Sequence, residues 1–221
     1  MEPVDTKQHI LNAAELLFSH HGYKATSMRA ITESAGVNLA AVNYHFGSKK
    51  ALIESAMERR LRPLNEIRQK RLNELSEASR RTGQKTAVQD ILRSFIEPVL
   101  LLKESRKGEA DFSALIGRAF IDPDDTVQKI FLRLMKPVSQ LMLDMLGDAL
   151  PELPEDVIFW RYQFVIGALA RIMRMYKNPR YESLQKAFKT DVESLMDGLI
   201  YFTSAGMEAP MKKKNRHRNK Y

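Results

Sequence analysis

Apolar residues recur every three or four positions along most of the chain, which is the spacing of amphipathic α-helices. Ile10, Ala14 and Leu17 form the first apolar stripe, on a helix that is predicted to end near Gly22. The alternation from Val42 to Phe46 could indicate a short strand, but its neighbours favour a helix. The pattern therefore predicts an all-α protein, with later helices near 86–105, 110–121, 124–147, 155–177 and 181–205.

Two further helices are marked by their caps. Thr26 or Ser27 is placed to cap a short helix that begins at Met28 and stops at Gly36, a residue suited to the left-handed position after a helix. Asn38 is placed to cap a second short helix. A short helix, a glycine turn and another short helix form the layout of a helix-turn-helix, whose second helix would lie in the major groove of DNA. A long fourth helix is predicted to follow and to end near residue 80.

Two apolar stretches in the last third of the chain predict a homodimer. Residues 157–177 are apolar on nearly every face, but arginines interrupt them, so they are too short to span a membrane and are expected to be buried in protein. In the last predicted helix, apolar residues recur at steps of four, three, four and three, as in a helix that packs lengthwise on another helix. The predicted interface residues are Trp160, Phe188, Val192, Leu195, Leu199 and Phe202.

Composition is that of a soluble globular protein, with 44% hydrophobic and 28% charged residues among 221. The chain has no cysteine, which excludes disulfide frameworks and thiol catalysis and fits a reducing compartment. Its N-terminus has neither the basic start nor the apolar stretch of a signal peptide. We therefore expect a cytoplasmic protein.

The net charge of +8 suggests a polyanionic partner, but most of the excess lies away from the helix-turn-helix. Residues 1–60 carry seven Lys and Arg against six Asp and Glu, whereas residues 61–81 carry six against three. Residues 207–221 carry six against one and are predicted to be a solvated, disordered basic tail. Bulk charge alone therefore does not locate a DNA-binding site.

The helix-turn-helix carries side chains suited to DNA. Ala40 and Ala41 are small, so the backbone of the second helix can approach the bases closely. Asn43 can pair bidentately with adenine, Arg29 can pair bidentately with guanine, and Leu39 or Ala40 can contact a thymine methyl. Donors suited to phosphates follow at the end of the helix, namely Tyr44, His45 and Lys49.

A longer set of residues at fixed offsets surrounds these positions: Gly22-Tyr23, Ala25-Thr26-Ser27, Arg29, Ile31, Ala35-Gly36-Val37, Tyr44-His45-Phe46, Ser48-Lys49 and Leu52. Over residues 6–60, this set resembles the DNA-binding domain of the TetR family. The resemblance implies that Thr26 and Ser27 anchor the DNA backbone and that Tyr44, His45 and Lys49 contact phosphates. The predicted DNA contacts are Thr26, Ser27, Met28, Arg29, Asn38, Leu39, Ala40, Ala41, Asn43, Tyr44, His45 and Lys49.

Two positions depart from the family pattern: Asn43 stands where many relatives carry an aromatic residue, and Leu39 stands at a commonly polar position. Which bases are read is therefore left open. The resemblance also implies a domain plan, with a DNA-binding head (residues 1–50) and a helical body (residues 51–206) that binds a ligand and forms a homodimer through its last two long helices. Such a dimer would repress at a palindromic operator until a small-molecule effector releases it.

Large apolar residues are frequent between 86 and 164, where Pro98 and Pro137 interrupt helical patterns. Kinked helices cannot pack flush, and gaps between helices are common ligand sites. Few charges fall among these residues, so we expect an uncharged or amphipathic effector, such as a fatty acyl compound with its polar end at the mouth. The segment AVNYHFGSKKAL also resembles regulators of fatty-acid metabolism. The predicted pocket residues are Phe95, Leu102, Phe112, Ile116, Phe120, Phe131, Met135 and Phe164, for which an ordinary core is the alternative.

Three other functions are weighed: a constitutive DNA-binding protein without an effector pocket, an enzyme with a helix-turn-helix appendage, and a helical interaction protein. The enzyme is disfavoured because no Gly-rich phosphate loop, HExxH motif or nucleophile elbow occurs. The adjacent His20 and His21 would face different sides of a helix, so no metal site is predicted. No catalytic residue and no cofactor is predicted either.

Overall fold

The computed structural model describes residues 3–101, 115–116, 125–175 and 191–211. Within these ranges the chain is helical and contains no strand, which confirms the predicted all-α class and makes Val42–Phe46 part of a helix. The predicted helix at 110–121 lies almost wholly outside the described residues. The described helices are α1 (Pro3–Ala25), α2 (Met28–Ala35), α3 (Leu39–Phe46), α4 (Lys49–Thr82), α5 (Val88–Leu101), α6 (Asp125–Ala149), α7 (Glu155–Met175) and α8 (Val192–Glu208).

The head is built from α1, α2 and α3, which pack on one another and on the start of α4. Helix α1 leaves helical geometry at Gly22, where φ is 83° and ψ is 171°, and then resumes to Ala25. The predicted end near Gly22 is therefore a break in the helix. A residue with a side chain would not readily adopt this backbone conformation. The small core of the head includes Ile10, Phe18, Ile31, Val42 and Phe46, all of which are buried.

Helix α4 joins the head to the body. It has 34 residues and is therefore roughly 50 Å long. Near its start it packs on α1, and further along it packs on α5 and α6. The buried carboxylate of Glu15 in α1 fixes the first contact, because it accepts hydrogen bonds from both Arg59 and Arg60. Pro63, one turn later, has no N–H to bond the carbonyl of Arg59, yet the helix continues through it.

The body packs α5 and α6 against α4, and α7 and α8 pack on α5 and α6. Helix α8 lies along α5, and α7 contacts both α6 and α8. Ion pairs tie the elements at the surface: Arg71 of α4 to Glu97 of α5 at 2.5 Å, and Arg93 of α5 to Asp197 of α8 at 2.9 Å. Helices α5 and α6 run through Pro98 and Pro137, as α4 does through Pro63.

Candidate DNA-binding surface and effector cavity

The helix-turn-helix has the predicted caps. The Ser27 side chain accepts a hydrogen bond from the Ala30 N–H at 3.0 Å, and the Asn38 side chain accepts one from the Ala41 N–H at 2.8 Å. Between them, Gly36 lies in the left-handed region with φ 65° and ψ 34°. The predicted N-cap of Asn38 and turn at Gly36 are confirmed, and Ser27 rather than Thr26 is the first cap.

Helix α3 buries one side and leaves the other open. Val42 is buried in the head, whereas Leu39, Ala40, Asn43 and Tyr44 are exposed, and Tyr44 is 87% exposed. These four residues form two pairs at i and i+4, so they share one face of the helix. Ala41 and His45 are half-buried at the edges of this face. The exposed face of α3 is therefore the surface that could enter a DNA groove.

Two predicted contacts point inward. Thr26 is only 3% exposed, and its hydroxyl donates to the carbonyls of Gly22 at 2.8 Å and Leu17 at 3.1 Å. Because that hydroxyl is buried and already bonded, the predicted contact of the Thr26 side chain with DNA is wrong, and its role is to hold the α1–α2 turn. Met28 is half-buried and packs against the core of the head.

The charged contacts flank α3. Arg29 is exposed and pairs with Glu33 at 3.4 Å, a surface interaction weak enough to be exchanged for DNA. Lys49 begins α4, and its ammonium lies 3.4 Å from the carbonyl oxygen of Lys24 and 4.5 Å from the ring centroid of Tyr23. These contacts place a positive charge at the N-terminus of α4, where backbone amides also favour an anion.

A cavity of about 470 Å³ lies between α4, α5, α6 and α7. Four of the residues predicted for a pocket line it: Phe95, Ile116, Phe131 and Met135. Phe164 does not, because it is 69% exposed on the other side of α7. The remaining predicted residues, Leu102, Phe112 and Phe120, lie outside the described residues.

The wall of the cavity is mostly apolar and includes three cationic side chains. Arg68, Arg133 and Lys136 all contribute to the wall. Arg133 and Lys136 lie at the exposed rim, where Arg133 also pairs with Glu54 of α4. Arg68 differs from both, because it is only 3% exposed.

Arg68 is held by neutral groups. Its Nε donates to the carbonyl of Phe95 at 2.9 Å, and its Nη1 donates to Asn65 Oδ1 at 3.1 Å and contacts Met135 Sδ at 3.6 Å. The guanidinium carbon also lies 4.1 Å from the ring centroid of Phe95. Burial lowers the pKa of Arg68 to about 9, so the side chain remains cationic at neutral pH.

Sequence reasoning missed Arg68 although a signal for it exists. Leu61, Leu64 and Leu72 form the apolar stripe of α4, and Arg68 occupies the position of that stripe between Leu64 and Leu72. A charged residue in an apolar stripe is predicted to be paired or to face a polar ligand. Tyr162 is a second missed residue; burial raises its pKa, and it donates a hydrogen bond to Ser139 at 2.8 Å.

Most of the chain matches known protein families in sequence. Residues 10–56 match the family described as bacterial regulatory proteins of the tetR family. Residues 93–206 match the tetracyclin repressor-like C-terminal domain, which is more than half of the chain. The chain belongs to the TetR family. It is therefore a transcriptional regulator with an N-terminal helix-turn-helix domain and a C-terminal helical domain, and its family is one of DNA-binding regulators rather than enzymes.

Individual curated relatives of this TetR-family chain match it over about a quarter of its length by sequence, whereas solved structures match it over about nine tenths of its length by fold. The HTH-type transcriptional repressor AcnR of Corynebacterium efficiens is 37% identical over 51 residues, which are 23% of this chain and 27% of AcnR. The curated relatives that lead the comparison match over only 25% to 28% of their own length.

Two solved structures share the fold over nearly the full length of the chain. FadR of Bacillus halodurans, a fatty acid degradation regulator, superposes with a TM-score of 0.65 at 15% identity and covers 92% of this chain and 96% of its own. FadR of Bacillus subtilis, solved with stearoyl-CoA, superposes with a TM-score of 0.64 at 14% identity and covers 90% and 98%. At these identities the likeness shows the fold alone.

In this TetR-family chain, one face of the α7–α8 pair carries large apolar side chains that no described residue covers. Trp160 and Phe164 of α7 and Tyr201 and Phe202 of α8 are all more than half exposed. In the single chain, helix α7 is therefore buried on the side that packs on its own subunit and open on the other side. No described helix is long and apolar enough to cross a membrane.

Two details of the predicted interface change. Leu199 is only 5% exposed because it packs into the core of its own subunit, so its predicted place in the dimer interface is wrong. Leu195 is half-buried, and Val192 begins α8. Phe188 lies outside the described residues. No group of three or more potential metal ligands occurs among the residues that the structure describes.

Proposed function

We propose that this regulator is a homodimeric repressor that binds a palindromic operator and leaves it when an apolar or amphipathic effector, such as a fatty acyl compound, fills the cavity. The observation that carries the proposal is the path of α4. The same helix packs on α1 in the head and supplies Leu61, Leu64 and Arg68 to the cavity wall. A ligand that contacts these side chains acts directly on the element that holds the head.

We assign functions to the two domains as the sequence predicts. Residues 1–50 form the DNA-binding head, residues 51–206 form the effector-binding and dimerisation body, and the exposed face of α3 reads the operator. Two heads in a two-fold symmetric dimer read two half-sites whose centres lie roughly 34–36 Å apart, or a multiple of that distance. An effector that changes this separation weakens both half-sites together.

The effector is expected to be mainly apolar because most residues around the cavity are. Phe95, Val99, Phe131 and Ile166 line it, and a volume of about 470 Å³ suits a small organic molecule. The cavity favours an effector-responsive regulator over a constitutive DNA-binding protein. AcnR is named as a repressor and FadR of Bacillus subtilis was solved with stearoyl-CoA, which supports repression and an acyl effector for this chain.

The test begins with unbiased selection of genomic DNA fragments by the purified protein, followed by fluorescence anisotropy on the selected site. Fatty acids, acyl-CoAs, aromatics and drugs are then screened for thermal stabilisation and for release of that DNA. An effector at 100 times its Kd should add about 2.7 kcal/mol to the free energy of unfolding. Failure to select any DNA sequence would refute the DNA-binding part, and release by sugars or amino acids alone would refute the apolar effector.

A further inference from the structure

We infer that the effector carries a compact anionic group, in the simplest case a free carboxylate, and that this group pairs with Arg68 inside the cavity. The inference rests on the proposed function, since it assumes that the cavity binds the effector. It identifies Arg68 as the specificity-determining residue of that site, and it places the polar end of the ligand inside the cavity rather than at the mouth.

The first argument is the charge. Arg68 is buried and cationic, and it contacts a carbonyl, an amide oxygen, a thioether and an aromatic ring. Among the described residues no carboxylate pairs with it. A buried charge is costly unless a group of opposite charge compensates it. An anionic ligand would supply that compensation, whereas a neutral ligand would leave the charge in an apolar cavity.

The second argument is the geometry of the donors. A guanidinium has five N–H groups, and the hydrogen bonds at Nε and Nη1 use three of those on Arg68. Nη2 donates no hydrogen bond to the described part of the chain, and Arg68 lines the cavity. The fixed fork of arginine suits the planar oxygens of a carboxylate better than a single hydroxyl or ester carbonyl.

The third argument separates a free acid from a coenzyme A thioester. The other two cations of the wall, Arg133 and Lys136, are at the exposed rim, and Arg133 already pairs with Glu54. An acyl-CoA would leave its phosphates at this rim and present an uncharged chain to Arg68. A free acid can instead place its carboxylate on Arg68 and its chain among Phe95, Val99 and the other apolar residues of the wall.

The experiment compares head groups on matched chains. Saturated acids from octanoate to hexadecanoate, with the methyl ester, the alcohol and the CoA thioester of each, are titrated into the full-length protein at pH 7.5 by calorimetry. Release of operator DNA is followed in parallel. At the best chain length the acid should bind about 10- to 100-fold more tightly than its ester and alcohol, the range expected for one hydrogen bond to a charged group.

Variants then assign the preference to one residue. Arg68→Met keeps an extended apolar side chain, removes the charge and should bring acid and ester to equal affinity without weakening the ester. Arg133→Gln and Lys136→Gln are the matched controls at the rim and should leave the preference for the acid intact. If Arg68→Met does not fold, Arg68→Lys keeps the charge without the fork and should retain a reduced preference.

The outcomes also separate this inference from the proposed function. Equal binding of acid and ester by the unaltered protein overturns the inference while the proposed effector site stands. A preference for the acid that survives Arg68→Met, or one abolished only in the rim variants, also overturns it. If no amphiphile binds or releases DNA, the proposed effector class fails, and the inference fails with it.

Discussion

Asn43 and Lys49 are six residues apart and occupy different environments, so we expect them to affect DNA binding differently. Asn43 is exposed on α3, in the face that could enter the groove, where a side-chain amide is suited to reading a base edge. Lys49 lies at the start of α4, half-buried against Tyr23, where a charge is suited to contacting the phosphate backbone whatever the sequence.

We predict that Asn43→Ala changes the preferred operator and costs about 1–3 kcal/mol at one base pair. Lys49→Ala should weaken binding to every sequence and make the dependence of log K on log salt shallower by about 0.9, because one phosphate is no longer neutralised. Lys70→Ala, an exposed lysine on the distal half of α4, is the control and should change neither quantity. The roles are misassigned if both head variants lose affinity equally on all sequences.

Single residues also show what the sequence could predict. The N-cap of Asn38 follows from residue type and position, because the partner of a cap is only three residues away. The burial of Thr26 depends on the carbonyl of Leu17, and that of Arg68 depends on Phe95 and Met135, which are much farther along the chain. Local patterns carry no information on such partners, which is why the inward orientation of the Thr26 hydroxyl was not predicted and Arg68 was missed.

At the scale of elements, the turn between α2 and α3 depends on the backbone conformation of Gly36. No heavy atom lies within 4 Å of a Cβ built on Gly36, so a side chain there would clash with nothing. Only the left-handed backbone conformation opposes it. Gly147 in α6 has the same free space in a helical conformation.

We predict that Gly36→Ala lowers the free energy of unfolding by about 1–2 kcal/mol, the cost of the left-handed conformation for a residue with a side chain. Gly147→Ala should raise it by about 0.5–1 kcal/mol, because alanine favours a helix. Urea denaturation followed by circular dichroism measures both. If both substitutions changed the free energy of unfolding in the same direction, the left-handed backbone angle of Gly36 would not be what requires glycine in the turn.

Helix positions were easier to predict than helix faces. Capping residues located α2 and α3, and apolar spacing located α4 and α6, within a few residues, because both signals are local. The same spacing could not separate the side of α7 that packs on its own subunit from the side that Phe164 and Trp160 leave exposed. Both sides are apolar, and only the packing of α6 and α8 tells them apart.

At the scale of the whole molecule, the exposed apolar face of α7 and α8 is the predicted dimer interface. We expect Phe164→Glu combined with Phe202→Glu to convert a dimer into a folded monomer at micromolar concentration, because charges would be buried without partners. Ile67→Glu, an exposed apolar residue on α4, is the control and should leave the dimer intact. Sedimentation velocity and circular dichroism provide the readouts.

Operator binding gives an independent check of the same interface. The monomeric variant should bind a full palindrome no more tightly than a single half-site, because linkage between the two heads is removed. The prediction fails if the unaltered protein sediments as a stable, folded monomer at micromolar concentration, or if the double variant remains a dimer.

We expect the proline in α4 to let a small bend near the cavity move the DNA-binding head. Without an N–H at position 63, one backbone hydrogen bond is missing between the part of α4 that carries Lys49 and the part that carries Arg68. The arm from Pro63 to Lys49 is roughly 20 Å long at 1.5 Å per residue, so a bend of about 10° at the proline swings its tip by roughly 4 Å. We therefore expect a movement of an ångström or so beside a bound effector to be amplified at the tip of this arm. In the proposed dimer, two such arms would set the distance between the recognition helices.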